Sequence, residues 1–497
     1  MLTLLITPSV AVSADTAPKA LPAARQQDNT AYSLTLDADK YTQKSFTLNG
    51  QTIRCRVFEN IVYVQHPVDP KFECINIYIP AEYFEGKSIG NYTAETAPIF
   101  FPIMVGGYMP GRPGSIGSGP GGGRSGAALI ALSKGYVVAS PGARGRTTKD
   151  EKGQYNGKTP ACIVDLKAAV RFLRFNHKRM PGDAEKIISN GTSAGGALSA
   201  LLGATGNNPD YEPYLKALGA ADARDDIFAA SCYCPITNLD NADTAYEWLF
   251  NCANDSKTTG NFRTTDRRMQ GPKGPGTLTG DQIAASDKLK AMFPAYLNGL
   301  GLKNTDGIVL TLDANGNGIF KDYVKSFVIA SAQKAMDGGK DLSALTWITI
   351  KDGAVTDIDF DQYVRYATRM KPPSAFDGLD LRTPENSLFG TAAIDAQHFT
   401  QFGKEHDAAG GSLADTAIVK LMNPMNYIGT EGTATAKHWR IRHGTVDRDT
   451  SIAIPVILAT KLKNNGFDVD CALPWDRPHS GDYDLDDLFA WMNQFCR

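Results

Sequence analysis

Gly191-Thr192-Ser193-Ala194-Gly195-Gly196 places a serine among small residues in the pattern G-x-S-x-G. The pattern suits a nucleophile, because small neighbours let the chain turn sharply, strain the serine backbone and leave its hydroxyl exposed. A serine hydroxyl attacks only when a base takes its proton, and the base needs an acid to orient it. Of the seven histidines, His438, His443 and His479 fall in the last part of the chain. His479 stands in Arg477-Pro478-His479-Ser480-Gly481-Asp482, a loop ahead of the final helical stretch, and is the expected base. His443 comes directly before an acidic loop and is expected to play a structural or supporting part. The acid belongs to Gly444-Thr445-Val446-Asp447-Arg448-Asp449-Thr450, where chain order alone does not separate Asp447 from Asp449. A developing oxyanion needs N–H donors. Ala194 offers one, and the run Val105-Gly106-Gly107-Tyr108-Met109-Pro110-Gly111 is the expected source of the other. Together these groups could carry acyl transfer through a covalent acyl-enzyme.

Such groups need a frame, and the flanking segments predict one. Ile99 to Val105 is a continuous apolar run stopped by two glycines, the signature of a strand buried on both faces of a parallel sheet. Short helical and strand signals then alternate: Ala127–Ser133, Tyr136–Ala139, Ile163–Phe175, Lys186–Ser189 and Ala194–Leu202. The serine therefore sits between a strand and a helix. Upstream, Tyr41 to Tyr83 reads as β structure, with Asn49-Gly50 as a hairpin turn. After Ser231 the rhythm breaks, and the α/β pattern returns at His438–Arg442, followed by helices over Ile452–Leu462 and Asp484–Phe495. This predicts an α/β fold of the α/β-hydrolase type, a doubly wound and mostly parallel sheet with a large inserted lid domain. The expected divisions are 1–30 as signal and tail, 31–233 as core, 234–424 as lid and 425–497 as the returning core. An insertion late in such a core is expected to cover the active site.

Composition sets the bounds. The chain has 497 residues, 42% of them hydrophobic and 21% charged, and a formal net charge of -2. No global field attracts nucleic acid or an anionic membrane. Met1 to Ala14 is apolar and small-residue-rich and ends in Val12-Ser13-Ala14, which predicts a secretion signal and a secreted or periplasmic protein. No other window approaches the ~18 to 20 apolar residues of a membrane span. In an exported chain the eight cysteines could form one or two disulfides or serve as small buried hydrophobes. Asp313, Asn315, Asn317 and Asp322 outline the start of a calcium loop, but Val324 stands where the bidentate glutamate belongs, so a polar turn is the expectation. No cofactor is required by the acyl-transfer set.

On these motifs the sequence resembles the bacterial tannases, tannin acyl hydrolases of the α/β-hydrolase superfamily. The resemblance includes Ile188-Ser-Asn-Gly-Thr-Ser193-Ala-Gly-Gly, Pro373-Ser-Ala-Phe-Asp377, Pro384-Glu385-Asn386, Arg442-His-Gly-Thr-Val-Asp447-Arg-Asp449-Thr-Ser451 and His479. It implies that Asp447 is the triad acid, that Gly107 is the second oxyanion donor, and that Lys371, Glu385 and Asp449 grip the three hydroxyls of a galloyl ring. Fungal tannases and feruloyl esterases carry a cysteine directly before both the serine and the histidine. Here those positions are Thr192 and Pro478, which excludes that branch. Taken singly, Lys371, Glu385 and Asp449 would pass for solvated surface charges. The expected substrate is a small-molecule galloyl ester. The alternatives are an esterase for hydroxycinnamoyl or simple esters, a peptidase on the same fold, and a non-catalytic binding relative, the last disfavoured by the intact triad.

Overall fold

The computed structural model describes residues 31–116, 123–256 and 276–496. The expected secretion signal and the tail to residue 30 lie outside them. Nine strands make the central sheet: β1 (Thr42–Leu48), β2 (Gln51–Val62), β3 (Cys74–Pro80), β4 (Pro98–Pro102), β5 (Val137–Pro141), β6 (Asp183–Thr192), β7 (Ala229–Tyr233), β8 (His438–Arg442) and β9 (Asp468–Ala472). Their order across the sheet is β1-β2-β3-β5-β4-β6-β7-β8-β9. β1, β2, β3 and β5 pair antiparallel in sequence, and every pairing from β5 to β9 is parallel. Asn49 and Gly50 both take positive φ, 49° and 79°, the requirement of a tight hairpin whose twist matches its strands.

Every residue of β3, β4, β5 and β7 is buried, as apolar strands covered on both faces must be. The cover comes from α1 (Gly123–Ser133), α2 (Ala161–Phe175) and α3 (Ala194–Ala204), and at the end of the chain from Ala453–Asn464 and Leu485–Phe495. Two details differ from the sequence expectation. β4 ends at Pro102, short of Val105: the Ile103 N–H makes the last ladder bond, to the Asn190 carbonyl of β6, before the chain leaves for its glycine loop. β9 was not anticipated: it is an edge strand, half-exposed, and Asp468-Val-Asp-Cys-Ala lacks an apolar run.

Between the directly paired strands β7 and β8 the chain makes a long excursion. It holds helices α4 (Leu239–Phe250), α5 (Gly280–Gly299), α6 (Ile319–Asp337) and α7 (Phe360–Ala367), and a hairpin of Ile348–Lys351 with Ala354–Ile358. Trp248, Phe293, Phe320 and Phe360 pack ring on ring to give this part its own apolar centre. The loop over Asp313–Asn317 forms a polar turn: Asp313 Oδ1 accepts from the Asn315 and Asn317 N–H groups at 2.9 Å each, and Lys321 Nζ donates to Asn317 Oδ1 at 3.2 Å. All eight cysteines are free. No helix among the described residues is long and apolar enough to cross a membrane.

Candidate active site

β6 runs directly into α3 through Ser193, whose backbone takes φ 62° and ψ -125°. A non-glycine residue held there costs about 1–3 kcal/mol, which the surrounding bonds must offset. The Ser193 N–H donates to the Tyr233 carbonyl of neighbouring β7 at 2.9 Å. Gly191 has no room for a Cβ, which would collide with the Gly195 carbonyl. The small residues of the motif thus do what their spacing implied: they let helix and strand meet at a serine. Ala194 opens α3, and the helix presents its positive end at this turn.

The loops after β8 and β9 bring the other two groups. His479 Nδ1 lies 2.8 Å from Asp447 Oδ2. The other Asp447 oxygen accepts from the Asp449 N–H at 2.8 Å, so the carboxylate is held at both ends. Gly481 abuts Thr192 so closely that a Cβ would clash, and Asn190 Nδ2 donates to Asp482 Oδ1 at 2.9 Å. The histidine loop is therefore fastened against the serine turn. Asp447 is buried; burial raises a carboxyl pKa, but His479 and then His443 more than reverse this and hold it well below the usual range. Burial lowers His479 in turn, yet Asp447, with Asp449 behind it, holds the imidazole well above the ordinary histidine value. His443 sits with its Nδ1 3.8 Å from Asp447 Oδ2 on the side away from solvent. His438 pairs with Asp468 at the opposite end of β8.

The two remaining sequence expectations converge on the same place. Lys371 Nζ lies 3.2 Å from Asp449 Oδ1 and 4.0 Å over the Phe376 ring. Glu385 is buried in the first turn of the short helix Pro384–Leu388, which Thr383 caps. Burial raises its pKa, opposed by the charge of Lys371 and reinforced by that of Asp449, so the three groups form one electrostatic cluster. Tyr246 of α4 ties the cluster together: its hydroxyl accepts from the Met370 and Lys371 N–H groups and donates to the Arg448 carbonyl at 2.9 Å. Asp243 of the same helix takes the Phe376 and Asp377 N–H groups, at 2.7 and 2.9 Å.

One residue escaped the sequence reading. Arg146 is wholly buried, its Nε donates to the Gly107 carbonyl at 2.9 Å, and its N–H donates to the Tyr108 carbonyl at 2.9 Å. Its charge also reaches Glu385. It clamps the loop at Gly107, whose φ is 55°. Residue type gave no hint, since arginine is mostly solvated, and Arg146 stands in a loop where no periodicity marks a buried position.

A strained serine at a strand–helix turn, with a histidine–aspartate pair carried by the following strands of one parallel sheet, is the arrangement of the α/β-hydrolases, and this chain is one of them. The BD-FAE family model matches residues 120–258. Esterase LipQ of Mycobacterium tuberculosis is 34% identical over 90 residues, 18% of this chain and 20% of that protein, so the chain spans only about a fifth of this curated relative. Solved structures match nearly end to end. The tannase of Fusobacterium nucleatum is 50% identical, with a TM-score of 0.88 over 94% of this chain and 100% of that one. The tannin acyl hydrolase of Lactobacillus plantarum is 47% identical, with a TM-score of 0.89 over 93% and 99%. A tannin acyl hydrolase in complex with ethyl gallate is likewise 47% identical, with a TM-score of 0.88 over 93% and 99%. The chain belongs to the bacterial tannases and is a carboxylic ester hydrolase.

Proposed function

We propose that the enzyme hydrolyses galloyl esters through an acyl-enzyme on Ser193, and that Lys371, Glu385 and Asp449 read the ring hydroxyls. The observation that carries this reading is the placement of one buried carboxylate, one ammonium and a second carboxylate beside the serine–histidine–aspartate set. The ethyl gallate complex of a relative 47% identical supports the same substrate class. Vicinal phenols both donate and accept hydrogen bonds. An ammonium can donate to one and favour its ionised form, while two carboxylates accept from the others. In the reaction, Ser193 Oγ attacks the ester carbonyl as His479 takes its proton. The N–H groups of Ala194 and Gly107 receive the oxyanion. His479 protonates the leaving alcohol, then activates water to release gallate. No step calls for a cofactor.

The specificity is tested by single alanine variants of Lys371, Glu385 and Asp449. Each should lower kcat/KM for methyl gallate about ten- to over a hundredfold, the worth of a charge-assisted hydrogen bond of roughly 1.5–3 kcal/mol. Methyl benzoate never makes those bonds, so it should start poor and lose little further. Equal losses on both esters would assign the trio to holding the fold and leave an esterase without a reader for the ring.

Arg146 gives a separate expectation. By fixing the Gly107 peptide it should affect kcat on both esters alike, with Arg146→Met lowering it by up to about 10²-fold, the effect of a small misplacement near the reacting atoms. Arg146→Lys should recover part of that loss. A change in KM for methyl gallate alone would place Arg146 with the ring-binding cluster through Glu385.

A further inference from the structure

Beside the triad acid Asp447 lie two potential ligands, Cys234 and His443, that the proposed reaction does not use. Cys234 follows β7, His443 follows β8, and Asp447 stands between them; all three are buried. The Cys234 sulfur, a His443 ring nitrogen and an Asp447 oxygen lie within 4.8 Å of one another. His443 Nδ1 is 3.8 Å from Asp447 Oδ2, too far for a hydrogen bond. The Cys234 thiol donates to the Ser480 carbonyl at 3.2 Å. Neither ring nitrogen of His443 has a hydrogen-bond partner among the described residues; the Thr450 carbonyl comes near without normal hydrogen-bond geometry. A buried imidazole with both nitrogens unpaired is rare and asks for an explanation.

The chemistry of the three groups supplies one. Thiolate, imidazole and carboxylate are the ligands that zinc and its soft congeners prefer, and bond lengths of 2.0–2.3 Å place their donor atoms about 3.3–3.8 Å apart. The cluster is within about an ångström of that spacing. Charge also fits: one thiolate and one carboxylate neutralise a divalent ion, and the imidazole adds a neutral donor, so the filled site carries no net charge into the interior. The Cys234 proton leaves to solvent as the metal–sulfur bond forms. Oxygen-loving ions such as calcium or magnesium have no reason to choose a sulfur.

We propose that Cys234, His443 and Asp447 form a binding site for a borderline-soft divalent cation, of the zinc and cadmium class, and that filling it switches the esterase off by drawing Asp447 away from His479. The inhibitory half rests on Asp447 being the acid that orients His479; the binding half does not. The His479 side chain, which lies against both Cys234 and Asp447, is 17% exposed.

The test uses the whole enzyme in a C252S/C471S background, which removes the half-exposed thiols. Cadmium or zinc is added in a non-chelating buffer, and activity is read on methyl benzoate, because vicinal phenols would bind the metal themselves. One cadmium per chain should bind with the ultraviolet thiolate-to-cadmium band, kcat should fall with the same midpoint as the band grows, and EDTA should restore both. In that background C234S should lose the band and need at least about tenfold more metal for half-inhibition. H443Q should keep the band and need a similar excess, which preserves the test should C234S not fold. The absence of a thiolate band in the C252S/C471S enzyme, or C234S and H443Q as sensitive as it, overturns the site. A stoichiometric band with unchanged kcat overturns the switch, whereas a failure of the triad itself would show in Asp447→Asn without any metal.

Discussion

Ser193→Ala is expected to lower kcat for methyl gallate by about 10⁴-fold or more, with the fold and the affinity for gallate preserved. The substitution removes one oxygen and with it the only atom able to form the acyl-enzyme. The backbone strain at φ 62° belongs to the position rather than to the hydroxyl, so alanine inherits it. The bonds that offset the strain, from the Ser193 N–H to Tyr233 and from the glycine contacts around the turn, use no atom that the substitution deletes. In the proposed reading gallate is held by Lys371, Glu385 and Asp449, which the change does not touch. Turnover of methyl gallate, thermal melting and gallate binding by calorimetry measure the three quantities separately. A variant that melts as the parent does, binds gallate, and still turns over at a tenth of its rate or better would remove Ser193 from the mechanism.

The elements nearest the chemistry were the most legible in the sequence, for a physical reason. Strands such as β4, Pro98–Pro102, are buried on both faces and must be uninterruptedly apolar, and the serine turn tolerates only small residues beside it. Both constraints act locally, so they show in a short window. The same holds for Asn49-Gly50, where positive φ at two positions selects the residue types. β9 obeys no such constraint, because an edge strand is half-solvated and its residues need not be apolar. Its existence follows from its neighbour β8, a partner distant in sequence.

Between Asp447 and Asp449 the difficulty was of another kind. Two carboxylates two residues apart in one loop point to different sides, and nothing in their own residue types says which side holds the histidine. The structure separates them by partners: His479 and the Asp449 N–H for Asp447, Lys371 for Asp449. Lys371 was invisible for a similar reason, since α4 far upstream positions its backbone, and Glu385 because it rides on a short helix of its own. The Tyr246 hydroxyl and the Asp243 carboxylate, three residues apart on α4, collect the chain at residues 370–371 and 376–377. Only the family resemblance named the trio from sequence, and the geometry supports it by gathering Lys371, Glu385 and Asp449 into one charged cluster.

Asp447→Asn should lower kcat/KM by about 10⁴-fold on methyl gallate and methyl benzoate alike, the known scale of neutralising a triad acid. The asparagine keeps the shape but offers an amide where His479 Nδ1–H needs an acceptor, so the imidazole settles in the wrong tautomer. Asp449→Asn should leave methyl benzoate nearly unchanged and lower methyl gallate selectively, because Asp449 faces Lys371 rather than the histidine ring. The pH dependence gives a second reading with a definite sign. His479 must be neutral to act as a base, so activity rises with pH through its pKa. Asp447 holds that pKa above the ordinary histidine value against the opposing effect of burial. Removing the carboxylate charge leaves burial opposed only by weaker contributions, and the acid limb of kcat/KM should move to lower pH even as the plateau collapses. A purely structural loss would lower the plateau and leave the limb in place. The measurement is a pH profile of kcat/KM on methyl benzoate for the parent and both asparagine variants. An unmoved limb in Asp447→Asn, or a larger loss on methyl benzoate in Asp449→Asn, would show that the histidine takes its orientation from Asp449 during turnover.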